Sequence, residues 1–537
     1  MTAEETRYRV LVTDEVDPEG IALLRGAAQI EVVERPTRPL PELLDEIAEY
    51  DALIGRSATR VSAELLDRGT RLKVIGRAGV GVDNVDLDRA TELGIAVINA
   101  PGGNTVSVAE LVFGMLISHL RHMHVAIETM RAGEWRRSQL AGAELRGRTM
   151  LIVGLGRIGS EVARRGRVYG LGLLAYDPYV SQSRFDELRV ERVESLDDAL
   201  EMADVVTVHV PLTSETRGMI GAAELERLGP RGLVLNFARG GIVDEDALVE
   251  ALRERRVAAA MLDVFENEPL ARDHPLRKLP NVLLTPHLGA STAEAQRNVA
   301  LEACAAVRDA LVTGDLSAAM NAAGVGGAGL GEIRPLLQLA DRLGRLGRAL
   351  LPTGLSALEL RYSGPRAAAA KPLLLSALQG AMQDVVDRRA INLVNAQHVA
   401  NERGIETAWT HVSPQHELGE EIELRIEGGA RSLRIGGALL GEAHGRITRI
   451  GAFRVDIAPR GTLIVMRNRD VPGVIGRVGT LLGEWQVNIA EYHQARLQAG
   501  GEALAAVQID GRLSAEQLEE LCTLPELLDA RQAVMEG

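Results

Sequence analysis

The sequence predicts an α/β protein with parallel sheets, followed by a mixed α and β region. Two observations carry this prediction. From the N-terminus, short apolar runs such as "YRVLVTD", "ALIGRS", "KVIGRAG" and "AVINAP" alternate with helical patterns, which is typical of a parallel sheet flanked by helices. After the glycine-rich linker "NAAGVGGAGLGE" at 321–332, helical patterns are followed by a group of strand-like segments.

Composition limits the classes of protein to which the chain can belong. With 537 residues, 46% apolar and 25% charged, we expect several globular domains. The net charge of −14 argues against a nucleic-acid-binding surface. Two cysteines, Cys304 and Cys522, predict no disulfide framework. No apolar leader or membrane-length segment is present in the sequence, so we expect no membrane partner and a cytoplasmic location.

A second series of strands follows a long helical pattern from about Val106 to Arg131. The apolar runs lie at 150–153, 171–176, 205–211, 233–239, 258–265 and 281–287, and a helical pattern follows from Arg297 to about Thr313. Ligands of open α/β sheets lie beyond the carboxyl ends of the strands. Polar residues at these strand ends are therefore the candidate functional residues.

The stretch "MLIVGLGRIGSEVARRG" at 150–166 has the spacing of a dinucleotide-binding loop. Gly154, Gly156 and Gly159 follow a buried strand and begin a helix, where they permit a tight turn, close approach of a pyrophosphate and helix–strand packing. The alternative is a glycine-rich corner without a ligand. Asp177, at the end of the next strand, favours the ligand because an acid there binds the ribose hydroxyls and repels a 2′-phosphate. We therefore predict NAD rather than NADP.

Four polar residues follow three later strands: Arg239 in "NFARGG", Asp263 and Glu268 in "LDVFENEP", and His287 in "TPHLGAST". Arginine can bind a carboxylate through two N–H groups. Histidine can take a hydroxyl proton near neutral pH, and a neighbouring glutamate raises its pKa. Each residue alone is more often structural. Together, downstream of the glycine motif, they predict oxidation of a 2-hydroxy acid, with no metal required.

These segments, together with "GRAGVGVDNVD" and "NAPGGNTVSVAE", resemble the D-isomer-specific 2-hydroxyacid dehydrogenases over about residues 5–320. The resemblance implies two Rossmann-like doubly wound domains: a substrate-binding domain of residues 1–101 and 291–320, and an NAD-binding domain of residues 102–290. It also implies that Arg239, Glu268 and His287 are catalytic, with His287 as the proton acceptor. The implied cofactor contacts are Gly154, Gly156, Arg157, Ile158, Gly159, Asp177, Val210, Phe237, Ala238, Arg239, Asp263, His287, Leu288, Gly289, Ala290 and Val80.

The substrate contacts implied by the resemblance include two arginines at strand ends. The set comprises Arg56, Ser57, Arg77, Gly79, Val80, Asn104 and Arg239. Arginines and exposed backbone N–H groups suit a phosphate, although Arg56 and Arg77 could be ordinary surface charges. The implied reaction is NAD-dependent oxidation of 3-phospho-D-glycerate to 3-phosphohydroxypyruvate, the first step of L-serine biosynthesis. The alternatives are another D-2-hydroxy acid, such as glycerate or 2-hydroxyglutarate, and a non-catalytic sensor of NAD(H) or of an amino acid.

The C-terminal region divides into two further predicted domains. Residues 321–457 resemble the intervening, allosteric substrate-binding-like α+β domain of long family members. Residues 458–537, with "RNRDVPGVIGRVGTLLGEWQVNIA", resemble a ferredoxin-like βαββαβ ACT domain, a regulatory unit that binds amino acids between protomers. This resemblance implies a homo-oligomer (dimer or tetramer), L-serine as a possible effector, and Asp470 and Asn488 as regulatory residues. The alternative is a domain that only oligomerises.

Overall fold

The structure is a computed structural model that describes residues 7–35, 39–322, 332–351, 354–383, 391–413, 419–441 and 444–535. The first sheet contains β1 (Tyr8–Val12), β2 (Ile30–Glu34), β3 (Ala52–Gly55), β4 (Val74–Arg77) and β5 (Ala96–Ile98). Four helices connect these strands: α1 (Pro18–Arg25), α2 (Leu40–Glu46), α3 (Ala63–Arg68) and α4 (Leu87–Glu92). The strands are parallel, in the order β2-β1-β3-β4-β5.

The second sheet contains β6 (Thr149–Val153), β7 (Gly172–Tyr176), β8 (Glu191–Arg192), β9 (Val205–Val208), β10 (Leu233–Asn236), β11 (Ala259–Leu262) and β12 (Val282–Leu284). Its helices are α5 (Thr105–Leu120), α6 (Met123–Arg131), α7 (Arg157–Val168), α8 (Gln182–Leu188), α9 (Leu196–Met202), α10 (Ala222–Leu228) and α11 (Glu245–Arg253), and α12 (Ala293–Val312) follows them. The parallel strands run in the order β12-β11-β10-β9-β6-β7-β8. The strand order reverses between β6 and β9, where doubly wound sheets bind nucleotides.

Alternate residues of the strands fill cores on both faces of each sheet. In β6, Met150 and Ile152 pack with α5 and α7, whereas Leu151 and Val153 pack on the opposite face. Because both faces are covered, these strands are apolar along their whole length. The predicted α/β class with two doubly wound sheets is confirmed. The predicted domain boundaries stay predictions.

Several predicted element boundaries are wrong. The strands expected to end at 211, 265 and 287 end at Val208, Leu262 and Leu284. The helix expected from Val106 to Arg131 is two helices, α5 and α6, because His122 between them has a left-handed backbone with φ of 51°. The strand expected to reach Arg239 ends at Asn236. The Asn236 amide accepts the N–H of Ala238 and donates to the carbonyl of Arg239, so this side chain holds the chain in a loop.

The third sheet follows in residues 357–457 and has helices on one face. Its strands are β13 (Ala357–Ser363), β14 (Glu406–Val412), β15 (Glu420–Gly428), β16 (Arg431–Leu440), β17 (His444–Ile450) and β18 (Phe453–Ile457), and its helices are α13 (Arg334–Leu350), α14 (Ala370–Met382) and α15 (Ala396–Glu402). The strand order is β14-β13-β15-β16-β17-β18, with only β13 and β14 parallel. Helices α13 and α14 cross closely at Gly344, where a Cβ would lie 2.1 Å from the carbonyl oxygen of Ala377.

The fourth sheet has the order β20-β21-β19-β22, as in a ferredoxin-like βαββαβ unit. Its elements are β19 (Thr462–Arg469), α16 (Val474–Glu484), β20 (Ile489–Arg496), β21 (Glu502–Ile509), α17 (Ala515–Cys522) and β22 (Leu527–Val534). One face packs against α16 and α17. On the other face, Leu463, Val465 and Ala533 join a core that includes α13, which also packs against β16 and β17. Among the described residues, no helix has the length and apolarity needed to span a bilayer.

Candidate active site

A cleft of about 450 Å³ lies where the carboxyl ends of the first and second sheets face each other. Loops after β4 and β5 line one side, and loops after β9, β10, β11 and β12 line the other side. The lining residues are Val80, Gly81, Val82, Asp83, Asn99, Asn104, Val108, Ile158, His209, Val210, Pro211, Leu212, Phe237, Ala238, Arg239, Asp263, His287, Gly289, Ala290 and Met320. The cleft lies at the ligand position expected for open α/β sheets.

The glycine loop after β6 has the geometry that a pyrophosphate requires. Gly154 has φ of 94°, a backbone conformation that side chains disfavour. A Cβ on Gly159 would lie 2.0 Å from the carbonyl oxygen of Gly154, so the helix packs tightly on the turn. A Cβ on Gly156 would meet nothing within 4 Å. The open side at Gly156 and the free N–H groups at the start of α7 therefore fit a bound phosphate.

Asp177 lies directly after β7, beside this loop. One carboxylate oxygen accepts the backbone N–H of Leu155 at 2.8 Å, and the other accepts that of Tyr179 at 3.0 Å. The carboxylate is thus fixed next to the glycine loop, where it can accept ribose hydroxyls and repel a 2′-phosphate.

His287, which lines the cleft, is hydrogen-bonded to Glu268 behind it. The distance from His287 Nδ1 to Glu268 Oε2 is 2.7 Å. The hydrogen bond to Glu268 raises the pKa of His287, outweighing the opposite effect of burial. Burial alone would raise the pKa of Glu268, but hydrogen bonds from His287 and from the N–H of Phe265 bring that pKa below its usual value. The pair therefore favours imidazolium beside carboxylate.

The buried carboxylate of Asp263 holds the loop that carries His287. It accepts the hydroxyl of Thr285 at 2.6 Å and the backbone N–H groups of Leu288 and Gly289 at 2.7 and 2.8 Å. His287 has φ of 54°, a conformation that costs energy for a residue with a side chain. The bonds of Asp263 on both sides of His287 stabilise this conformation and fix the direction of the imidazole.

Arg239 projects into the cleft from the loop after β10. Its Nη1 donates to the carbonyl of Ala238 at 2.7 Å, and its Nε lies 3.2 Å from Asp83 Oδ2 across the cleft. A Cβ on Gly240 would lie 1.9 Å from the carbonyl oxygen of Phe265. Only glycine allows these two loops to pack closely enough to bring Arg239 near His287.

Arg77 and Arg56 add positive charge on the side of the first sheet. Burial and the charges of Arg239 and Arg56 lower the pKa of Arg77, and its Nε is buried without a hydrogen-bond partner among the described residues. Arg56 is half-buried, and its Nη1 donates to the carbonyl of Glu15 at 3.2 Å. The charges of Arg56 and Arg239 thus both act on Arg77, and this accumulation of positive charge favours a polyanionic ligand.

The structure brings many of the predicted residues to the cleft. Those that line it are Val80, Asn104, Ile158, Val210, Phe237, Ala238, Arg239, Asp263, His287, Gly289 and Ala290. The predicted residues outside this lining are Arg56, Ser57, Arg77, Gly79, Gly154, Gly156, Arg157, Gly159, Asp177, Glu268 and Leu288. Several of these support the lining residues: Glu268 bonds His287, and the Arg77 guanidinium lies over Gly79. The ligand contacts of all these residues stay predictions.

Three features of the site were not predicted. Asp83 faces Arg239. Asp14 and Asn84 hold the Arg56 loop, because Asp14 accepts the N–H of Arg56 at 2.5 Å and Asn84 donates to the carbonyl of Arg56 at 2.8 Å. His209, whose Nε2 lies 2.9 Å from the Thr207 hydroxyl, also lines the cleft, and burial lowers its pKa to about 3.

The two predicted regulatory residues lie in the fourth-sheet unit. Asp470 follows β19 and accepts the backbone N–H of Gly500 at 3.1 Å and a guanidinium N–H of Arg496 at 3.3 Å. Asn488 precedes β20 and donates to Asp510 at 2.9 Å. Both side chains are bonded within their own chain, at opposite ends of β20.

Comparisons with known proteins show to which family the chain is similar. Residues 113–289 match the model of the "D-isomer specific 2-hydroxyacid dehydrogenase, NAD binding domain", and residues 332–451 match the "D-3-phosphoglycerate dehydrogenase intervening domain". The solved glyoxylate reductase of Paecilomyes thermophila is 31% identical, with a TM-score of 0.54, and the match covers 58% of this chain and 98% of that chain. The solved D-lactate dehydrogenase of Escherichia coli is 28% identical, with a TM-score of 0.51, over 57% of this chain and 97% of that chain.

Relatives similar over nearly the whole chain define the family more narrowly. The D-3-phosphoglycerate dehydrogenase of Synechocystis sp. is 38% identical over 98% of this chain and 94% of its own length. That of Bacillus subtilis is 37% identical over 98% of this chain and 99% of its own length. The predicted resemblance is confirmed, and the cofactor is NAD(H). The chain belongs to the D-3-phosphoglycerate dehydrogenases, within the D-isomer-specific 2-hydroxyacid dehydrogenase family.

Proposed function

We propose that this chain oxidises 3-phospho-D-glycerate to 3-phosphohydroxypyruvate with NAD, the first step of L-serine biosynthesis. The observation that carries the proposal is the chain of charged groups in and beside the cleft: the charges of Arg56 and Arg239 act on Arg77, and Arg239 lines the same cleft as His287, which is bonded to Glu268. The substrate carries a carboxylate and a phosphate, so its negative charge matches three guanidinium groups. A 2-hydroxy acid without a phosphate would lack the group that Arg56 and Arg77 are proposed to bind.

In this proposal, His287 takes the proton of the substrate 2-hydroxyl through Nε2. Its Nδ1 is bonded to Glu268, so the other ring nitrogen is the one available to the substrate. A bound NAD would supply the acceptor for the hydride that leaves C2. Glu268 stabilises the imidazolium that results, since a carboxylate next to the ring favours its charged form.

Arg239 binds the substrate carboxylate and turns C2 toward the cofactor. A guanidinium holds a carboxylate through two parallel N–H bonds, which fixes direction as well as position. Arg77, Arg56 and Ser57 then receive the phosphate on the side of the first sheet. Asn104, whose Oδ1 is buried without a partner among the described residues, can accept the substrate hydroxyl or a ribose hydroxyl.

The deciding experiment mixes the purified protein with NAD and a panel of hydroxy acids and follows NADH formation. We expect the highest kcat/KM with 3-phospho-D-glycerate, and a lower value with D-glycerate and D-2-hydroxyglutarate. Arg77→Met should reduce kcat/KM for the phosphorylated substrate much more than for D-glycerate. A preference for D-2-hydroxyglutarate would identify another member of the wider family. If no NADH forms with any hydroxy acid, the alternative of a non-catalytic sensor of NAD(H) or of an amino acid would be favoured.

We propose further that the chain forms a homo-oligomer, a dimer or tetramer, and that L-serine is its effector. Within the described part of the chain, β20 and β22 are the edge strands of the fourth sheet, and an edge strand can pair with a second copy. Asp470 can accept the ammonium group of serine, and Asn488 of the second copy can bond its carboxylate. The cytoplasmic location stays a prediction.

A further inference from the structure

An ion pair between Asp83 and Arg239 spans the cleft. Asp83 belongs to the loop after β4 of the first sheet, and Arg239 to the loop after β10 of the second sheet. Arg239 Nε lies 3.2 Å from Asp83 Oδ2. Both residues line the cleft that also contains His287. The pair therefore joins the two walls of the site at the residue to which we assign the substrate carboxylate.

Asp83 contacts the side of the Arg239 guanidinium group to which a substrate carboxylate would bind. A guanidinium binds a carboxylate through two neighbouring N–H groups. Nη1 is already bonded to the carbonyl of Ala238, so the edge formed by Nε and Nη2 is the one left for a ligand. Nη2 lies 2.0 Å from the point where a Cβ on Gly81 would be. The absence of a side chain at Gly81 thus keeps this edge accessible.

The ion pair of Asp83 with Arg239 is weak, so another anion can replace Asp83. Its side chain is 76% exposed, against 28% for Arg239. Within the part of the chain that the structure describes, no second hydrogen bond or ion pair of Asp83 is present. Exposed ion pairs are weak because water screens them. Asp14, on the same side of the cleft, is different: it is buried and accepts backbone N–H groups of the Arg56 loop, so it cannot leave.

We propose that Asp83 is an internal competitor of the substrate carboxylate. It neutralises Arg239 in the enzyme without substrate, and it withdraws when the substrate carboxylate takes the same edge. Asp83 is thus an affinity-determining residue that takes no part in proton or hydride transfer. This inference rests on the proposed function, because it takes Arg239 as the carboxylate-binding residue.

The test compares Asp83→Asn with Asp88→Asn, a control that removes an equal charge from the exposed first turn of α4 nearby. Because the competitor is lost, Asp83→Asn should lower KM for 3-phospho-D-glycerate by about 1.5- to fivefold, the range of an exposed ion pair. Its kcat at saturating substrate should change less than KM, since Asp83 has then already left Arg239. Asp88→Asn should leave both constants unchanged.

Three results would overturn the proposal. A higher KM in Asp83→Asn would mean that Asp83 orients Arg239, and an unchanged KM would mean that it does not compete. An equal fall of KM in both variants would mean that the net charge of the surface, and not the contact of Asp83 with Arg239, determines the change in KM. Failure of the proposed function is seen separately, because the wild-type protein would then form no NADH with 3-phospho-D-glycerate. If the wild type oxidises another 2-hydroxy acid, the same comparison of variants applies to that substrate.

Discussion

His287 Nδ1 and Glu268 Oε2 are 2.7 Å apart, and the backbone of His287 has a left-handed conformation held by the bonds of Asp263. Together these contacts direct Nε2 of the imidazole and set the proton affinity of the ring. Neither contact depends on substrate, so the imidazole is positioned before the substrate arrives. Such preorganisation reduces the reorganisation needed during the reaction.

Replacing His287 with alanine should reduce kcat by about 10²- to 10⁴-fold, the usual contribution of a positioned general base. The affinity for NADH should change little, because the glycine loop and Asp177 lie elsewhere. Stopped-flow turnover and fluorescence titration with NADH measure the two quantities. Near-normal turnover would remove His287 from the mechanism.

Replacing Glu268 with glutamine should move the pH dependence of oxidation toward acid. The hydrogen bond to Glu268 raises the pKa of His287, and oxidation needs the neutral imidazole, so activity rises as pH increases through this pKa. Without the carboxylate the pKa falls, and the acid limb of kcat/KM appears at lower pH. In the reverse reduction, which needs imidazolium, the alkaline limb should move in the same direction.

Glu266→Gln is the matched control for this shift, because Glu266 is exposed and its ion pair is with Arg217, 3.7 Å away. It should leave both limbs in place. An unshifted profile in Glu268→Gln, or an equal shift in the control, would contradict the role assigned to Glu268.

Replacing Asp177 should reduce the preference for NAD over NADP. Loss of a charge-assisted hydrogen bond to the ribose should weaken NAD binding by about tenfold or more. Asp177→Ala also removes the acceptor for the N–H of Leu155, whereas Asp177→Asn can retain it. If both variants lose the preference, the carboxylate charge is responsible. The ratio of kcat/KM values for the two cofactors is the measurement, and a wild type that prefers NADP would disprove the assignment.

Gly344 and Gly479 should respond in opposite directions to alanine. A Cβ at Gly344 would meet the backbone of α14, whereas a Cβ at Gly479 of α16 would meet nothing within 4 Å. We expect Gly344→Ala to lower the free energy of unfolding by about 1–3 kcal/mol through overpacking. Gly479→Ala should raise it by about 0.5–1 kcal/mol through helix propensity. Urea denaturation followed by circular dichroism measures both.

L-serine should inhibit the wild type partially, and Asp470→Ala should abolish the inhibition while catalysis remains. Inhibition requires that serine bind one quaternary arrangement more tightly than another. The coupling free energy between an effector site and an active site is typically about 1–3 kcal/mol. Glu519→Gln, an exposed change on α17, is the control. Serine titration with calorimetry separates binding from inhibition. If the wild type binds no serine, the unit only oligomerises.

The two parallel sheets and the Arg239–Glu268–His287 set were predictable from the sequence because their signals are local. Apolar runs mark the fully buried strands, and each candidate residue lies in the loop that follows such a run. The same rule could have identified Asp14, which follows β1. Asp83 lies in the segment "GRAGVGVDNVD", but its partner Arg239 is distant in the chain, and only the fold brings the two sheets face to face.

The elements that the sequence did not predict have weak local sequence patterns or none. β14 is an exposed edge strand whose sequence shows no regular alternation, so its pairing with β13 decides its structure. β13 does alternate, with Leu358, Leu360 and Tyr362 buried and the intervening residues outward, yet it was not identified. The break at His122 has neither proline nor glycine beside it. β22 was expected only from the resemblance to an ACT domain.

Helix α13 packs against β16 and β17 on the third sheet and against β22 on the fourth. Neither sheet can therefore complete its apolar core without the same helix. We expect the two units to melt in one cooperative transition, and removal of the last unit to leave an apolar surface that promotes aggregation. A small molecule bound to the fourth unit alone should then raise the melting temperature of both.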